Sequence, residues 1–163
     1  MTTPIYTDEG EWQPVAILRV TGTPKAQPRA KATSMRLPNG KIMTRMYTPT
    51  TAKEWKKAIA CAALGHSPPE PLAGPIKLVV HFFLPRPKRL CRKKDPDGAV
   101  RQIVKPDLDN LEKAVLDALT GTFYLDDCQV QDGHYIKWYH GKDRSPRATI
   151  WIYRWAQEQG DTT

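Results

Sequence analysis

Apolar and polar positions alternate most strictly over residues 76–84, where Ile76, Leu78, Val80, Phe82 and Leu84 recur at period two. That spacing predicts a strand with one core-facing side, because successive side chains on a strand point to opposite faces. Val15 to Val20 reads as a second strand, stopped at Gly22-Thr23-Pro24. His134 to Tyr139 and Ala148 to Tyr153 read as two more, joined by a loop over Gly141 to Pro146. Helical periodicity takes over twice. Trp55, Ile59, Ala62 and Ala63 follow helix spacing, behind a Thr51-x-x-Glu54 capping box and ahead of Gly65. Leu111, Val115, Ala118 and Leu119 form a second stripe, with Asp109 or Asn110 as N-cap and Gly121 as stop. Residues 24–45 are expected to form a loop or ragged hairpin running on to Tyr47, and 85–105 an exposed, mobile loop.

This order of elements predicts an α+β fold, a mixed β-sheet with helices packed on it. With 163 residues, one domain is the default. It is expected over residues 13–156, with 1–12 and 157–163 as flexible tails. No stretch approaches the ~18 apolar residues of a membrane span, so no membrane partner is expected. The opening residues MTTPIYTDEG lack the basic-then-apolar order of a secretory signal. Cys61, Cys91 and Cys128 are scattered, with no CxxC pair. Both features suit reduced thiols and a cytoplasmic location.

Charge changes the picture. Lys and Arg number 25 against 17 Asp and Glu, a net charge of +8, which commonly means a nucleic-acid or anionic-membrane partner. Residues 24–45 hold Lys25, Arg29, Lys31, Arg36, Lys41 and Arg45 and no acid. Residues 85–105 hold eight basic residues, Arg92, Lys93, Lys94 and Lys105 among them, against Asp95 and Asp97. Residues 106–132 reverse the sign, with Asp107, Asp109, Glu112, Asp117, Asp126, Asp127 and Asp132 against Lys113 alone. An acidic island in a basic surround is what a metal-dependent enzyme acting on a polyanion needs. Most acidic clusters are merely solvated faces.

The chemistry centres on Lys105-Pro-Asp-Leu-Asp-Asn-Leu-Glu-Lys113, with Asp126-Asp127 following. In extended backbone Asp107 and Asp109 would share one side and could hold a hard cation between them. Lys113 lies one helical turn past Asp109. A third carboxylate could come from Asp126 or Asp127, provided the chain folds back along the helix. Phosphodiester hydrolysis needs this set: Mg²⁺ on a few carboxylates and waters, and a cation to meet developing charge. Basic residues on either side would bind flanking phosphates. Read without that surround, Asp107 and Asp109 would be capping and turn residues. Asp117 reads as an ion-pair partner for Lys113. An EF-hand fails, since Glu112 and Ala118 stand sixth and twelfth from Asp107. Cys128, His134 and His140 lack zinc-ligand spacing. Tyr135, Trp138, Tyr139, Trp151, Tyr153 and Trp155 could stack on bases, but sheet core or an interface is the expected role.

Two blocks carry a resemblance. Lys105-Pro-Asp-Leu-Asp-Asn-Leu-Glu-Lys-Ala-Val-Leu-Asp-Ala-Leu-Thr-Gly121 and Phe123-Tyr-Leu-Asp-Asp-Cys-Gln-Val130 resemble the RusA family of Holliday-junction resolvases. That family shows D-x-D-N-x-x-K opening a helix that ends D-A-L, then an aromatic turn with D-D-x-Q-V. Gly22-Thr-Pro24 with Arg29, and Tyr47-Thr-Pro49, are similar to its weaker N-terminal pattern, so the resemblance covers about residues 15–155. It implies a homodimer that binds four-way DNA and cuts two strands symmetrically, using Mg²⁺ or Mn²⁺. It places the essential acids on Asp107, Asp109 and Asp127 and the catalytic lysine on Lys113; where some members carry a basic residue just before the first Asp, this chain has Pro106, with Lys105 one further back. DNA contacts are expected from Lys25, Arg29, Lys31, Arg92, Lys93, Lys94 and Lys105. An endonuclease for other branched DNA, and a DNA-binding module whose acids only cap and pair, are the alternatives.

Overall fold

The computed structural model describes residues 6–28, 31–47 and 52–157. Strand β1 (Gly10–Thr21) is followed by β2 (Lys31–Arg36), β3 (Ile42–Tyr47), helix α1 (Lys53–Leu64) and β4 (Ile76–Leu84). Then come β5 (Val100–Arg101), α2 (Leu108–Leu119), β6 (Val130–Tyr139) and β7 (Arg147–Gln157). Two short 3-10 turns, Lys88–Leu90 and Asp127–Gln129, sit in the connections. The main sheet runs β1-β7-β4-β6-β5. β4 pairs parallel to β6 and antiparallel to β7, so the sheet is mixed and the fold α+β, as the element order predicts.

β4 is the spine. Its burial alternates without a break, and Ile76, Leu78, Val80, Phe82 and Leu84 lie on the face that α1 and α2 cover. Leu18 and Val20 from β1, and Ala148, Ile150 and Ile152 from β7, share that face. Trp55, Ile59 and Ala63 of α1 and Leu111, Ala114, Val115 and Leu119 of α2 close the core from above. Burying such side chains gives the fold its main driving force, at about 1.5–3 kcal/mol each. The opposite sheet face has no helix over it among the described residues. There His81 sits among the rings of Phe83, Trp138 and Trp151, and Arg147 and Arg101 lie over Phe83 and Trp138 at 4.1 Å. Trp138, Trp151, Tyr153 and Trp155 are therefore outer-face residues, whereas Tyr135 and Tyr139 face the helices.

Several expectations need correcting. β1 begins at Gly10 and pairs through to Gln157, so residues 10–12 are sheet rather than tail. Polar Glu11 and Gln13 are kept in strand by the ladder to β7, which a hydrophobic pattern cannot reveal. Of the loop and the hairpin expected up to Tyr47, residues 31–47 take the hairpin, an antiparallel ribbon β2–β3 in a sheet of its own. Gly40 takes φ +78° in its tip, and Gly40 N–H donates to Leu37 O at 2.9 Å. The N-cap of α1 is Ala52, without a side-chain bond, and Thr51 lies outside the described residues. The 85–105 segment is fastened rather than loose. Buried Arg86 donates to Leu90 O and Gly98 O, and Lys142 Nζ donates to Arg92 O and Asp95 O. Cys61, Cys91 and Cys128 are free and exposed.

Candidate active site

Helix α2 starts at the sequence's most chemical stretch. Its N-cap is Asp107, not Asp109 or Asn110. Asp107 has extended backbone (φ −70°, ψ 144°) and makes no side-chain capping bond. Leu108 is already helical, so Asp109 sits in the first turn and the two carboxylates are not strand neighbours on one side. Both are exposed. A helix N-terminus carries partial positive charge, which favours acids in this turn by about 0.3–1 kcal/mol each. Lys113 follows one turn on. Its ammonium is largely exposed and 3.8 Å from Asp117 Oδ1, the pairing expected of Asp117. The tighter partner of Asp117 is Lys56 of α1, at 2.7 Å.

Sequence reasoning passed over Glu112. Burial pushes its carboxyl up, the neighbouring Asp109 charge adds to the rise, and Tyr135 opposes it. Tyr135 comes from the helix-facing side of β6. Its hydroxyl is buried without a hydrogen bond of ordinary geometry, though near enough to Glu112 for the two groups to couple. Burial, then the Glu112 charge, raises the phenol well above its usual range. The ring of Tyr135 lies on Gly133, where an added Cβ would come within 2.5 Å of it. The signal for Glu112 was its place between Asp109 and Lys113, and a helical-wheel count ignored it because it is neither in the apolar stripe nor in the family pattern.

Asp126 and Asp127 follow the turn that closes the other end of α2. Gly121, at φ +79°, lets the chain reverse, and the Tyr124 hydroxyl donates to Leu116 O at 3.1 Å. Asp126 shapes the next turn: its Oδ1 accepts from Cys128 N–H at 2.9 Å, and that bond holds its carboxyl below the usual range. Gln129 locks the turn in place. Its Oε1 accepts from Leu125 and Asp126 N–H, and its Nε2 donates to Leu72 O and Gly74 O at 2.9 and 3.0 Å. Asp127 is exposed at the start of this turn. A 12-residue helix is about 18 Å long, and no strand returns before Asp127. Among the described residues no group of three or more His, Cys, Asp or Glu side chains stands close enough to hold a metal ion. The exposed carboxylates at the head of α2 still suit a hard cation in kind, since Mg²⁺ keeps several waters and uses one or two protein carboxylates.

The approach to α2 is built from the sheet edge. Gln102 Nε2 donates to Lys105 O at 3.0 Å, and Lys137 Nζ donates to Val104 O and Pro106 O at 2.9 and 2.8 Å. Gln27 N–H donates to Asn110 O at 2.7 Å, bringing the first basic segment to the helix head. A cleft of about 440 Å³ beside it is lined by Lys25, Leu84, Gln102, Lys105, Pro106 and Tyr139, among others. Lys25 and Lys105 thus line one cleft, which ends at Pro106, the residue before Asp107. Arg29 lies outside the described residues, and Lys31 opens β2. Arg92, Lys93 and Lys94 are exposed on the 85–105 segment, with Arg92 bound to Asp95. A larger cleft, about 790 Å³, is lined by Arg19, Arg144 and Arg147 and holds none of the α2 acids.

The family profile described as "Endodeoxyribonuclease RusA" matches residues 21–153, most of the chain. The chain belongs to the RusA endodeoxyribonuclease family. A relative from Bacillus subtilis (strain 168), "Uncharacterized protein YqaN", is 34% identical over 138 residues, covering 82% of this chain and 92% of its own length. The RusA match spans both α2 and the Asp126-Asp127 turn, and membership makes the chain a nuclease of a Holliday-junction resolvase family. No helix among the described residues is long and apolar enough to cross a membrane.

Proposed function

We propose that this RusA-family chain resolves four-way DNA junctions as a homodimer, hydrolysing one phosphodiester in each of two strands with a divalent cation. The observation that carries the reading is the head of α2: Asp107 and Asp109 bracket the helix start, Lys113 follows one turn on, and Lys25 and Lys105 stand alongside. Asp107 and Asp109 would hold Mg²⁺ or Mn²⁺; Asp127 stands past the far end of α2 in the same chain, so its proposed place as a third carboxylate would require delivery from the second protomer. The cation, when bound, lends the Lewis acidity that phosphoryl chemistry needs. Lys113 holds a non-bridging oxygen of the scissile phosphate and meets the charge that develops there. Lys25, Lys105 and the basic residues of the ribbon and of the 85–105 segment hold neighbouring phosphates, which fixes the strand without reading its sequence. Two nicks related by a two-fold axis call for two sites related the same way, which a symmetric dimer supplies.

The test is cleavage of a synthetic four-way junction with and without Mg²⁺, beside flaps, forks and linear duplex. Junction cutting that stops with chelator supports the reading, and preference for flaps or forks would reassign the substrate. Binding with no cutting at all would leave only a DNA-binding module. Asp109→Asn should abolish cleavage while retaining junction binding. Asp127→Asn should do the same, and normal cutting by that variant would remove Asp127 from the site. Sedimentation velocity checks the dimer.

A further inference from the structure

The three carbonyls just ahead of Asp107 are all held by side chains. Lys137 Nζ takes Val104 O and Pro106 O, and Gln102 Nε2 takes Lys105 O. The two donors are themselves joined, Gln102 N–H donating to Lys137 O at 3.3 Å, where β5 ends against β6. Beyond the clamp, Leu111 N–H donates to Asp107 O at 3.3 Å, the first bond of α2. Hydrogen bonds from the sheet edge therefore hold the chain up to the Pro106–Asp107 peptide, and Asp107 O is held in turn within α2.

Stability alone does not account for these two residues. Lys137 pairs in register with buried Phe82 of β4, on the helix-facing side of β6. An apolar residue there would extend the core, whereas an ammonium has to be compensated when drawn away from water. Gln102 is only 7% exposed and leaves its Oε1 buried without a partner. An unpaired buried acceptor costs about 1–3 kcal/mol. Meanwhile the segment they hold runs along the surface, with Val104 50% exposed and the Lys137 bond to Val104 O open to water. Two costly polar side chains are spent on a surface stretch directly before the first carboxylate of the candidate site.

We propose that Lys137 and Gln102 are positioning residues that fix the backbone of 104–106, and through it the placing of the Asp107 carboxylate beside Asp109. The proposal rests on the reading of Asp107 as part of the nuclease site. Residues that orient a ligand from behind typically change activity or metal affinity about 10–100-fold when replaced.

The test uses the full-length protein with Lys137→Met and Gln102→Leu, each keeping bulk and removing the donor. Four measurements go together: single-turnover junction cleavage, its Mg²⁺ half-saturation, junction affinity in chelator, and amide exchange of residues 104–119. Both variants should lose about 10–100-fold in cleavage rate and need more Mg²⁺, while junction affinity stays within about twofold. Amide exchange should quicken at 107–111 and stay unchanged at 115–119. A purely structural role would move exchange and melting but not the split between cleavage and binding. Variants with wild-type cleavage and Mg²⁺ dependence overturn the proposal, and so does unchanged exchange at 107–111. Should Lys137→Met fail to fold, Gln102→Leu decides, since it puts an apolar side chain in a buried place. A wild-type protein that cuts no substrate refutes the nuclease reading itself, a result distinct from an active wild type with equally active variants.

Discussion

Arg92, Lys93 and Lys94 look alike in sequence, yet the structure separates them. Arg92 Nε and Nη2 reach Asp95 at 3.2 and 3.4 Å, and that bond is the main cause holding the Asp95 carboxyl below its usual range. Lys93 and Lys94 are exposed and make no salt bridge among the described residues. Each phosphate contact contributes about 0.9 to the slope of log affinity against log salt. If both lysines meet phosphate, Lys93→Ala with Lys94→Ala should lower the slope by about 1.8 for each chain on the DNA. Over a fourfold rise in salt, that difference amounts to about twelvefold in affinity. Arg92→Ala should change the slope by well under ~0.9, because Asp95 already neutralises that guanidinium. Fluorescence anisotropy of a labelled four-way junction, titrated in chelator at four salt concentrations, gives the slopes. A double variant with the wild-type slope takes this segment off the DNA. An Arg92 variant that lowers the slope as much as one lysine refutes the neutralisation argument.

Glu112 should leave a mark on stability. Its folded carboxyl holds a proton to higher pH than the unfolded one, so its contribution is full below the unfolded value of 4.5 and is lost as pH rises through the folded value. Glu112→Gln should therefore gain on the wild type in denaturant midpoint between about pH 4 and about pH 7, and a pH-independent difference would refute this. Gln129→Leu strips four hydrogen bonds from the turn carrying Asp127 and should cost about 2 kcal/mol in urea unfolding. A midpoint within error of wild type would show that water replaces the amide.

The sequence carried the core well because its signals there are strong and local. β4 alternates over nine residues, and the stripes of α1 and α2 catch most of the residues found buried, missing Ala114 and including half-buried Ala62 and Ala118. The misses are all places where a distant partner decides. Glu11 and Gln13 are strand only because β7 lies beside them. The 85–105 segment is tied down by Lys142, about fifty positions on. Asp107 is the N-cap next to a 104–106 segment held at its carbonyls by Gln102 and Lys137, contacts that no propensity records. Asp107, Asp109, Lys113 and Asp127 stood out in the sequence as candidates, because their types and spacing are chemical. Glu112, Tyr135, Gln102 and Lys137 did not, since their roles arise from burial and from register between β5, β6 and α2.

The β2–β3 ribbon shares no ladder with the main sheet, so its length is not coupled to any core register. Each residue added to both strands would move the tip by about 3.4 Å. That increment equals the axial step between nucleotides in one DNA strand, also about 3.4 Å. Lengthening or trimming the ribbon therefore acts like adjusting a caliper arm: it resets the reach of the basic tip in steps of that size, while the core register stays as it is.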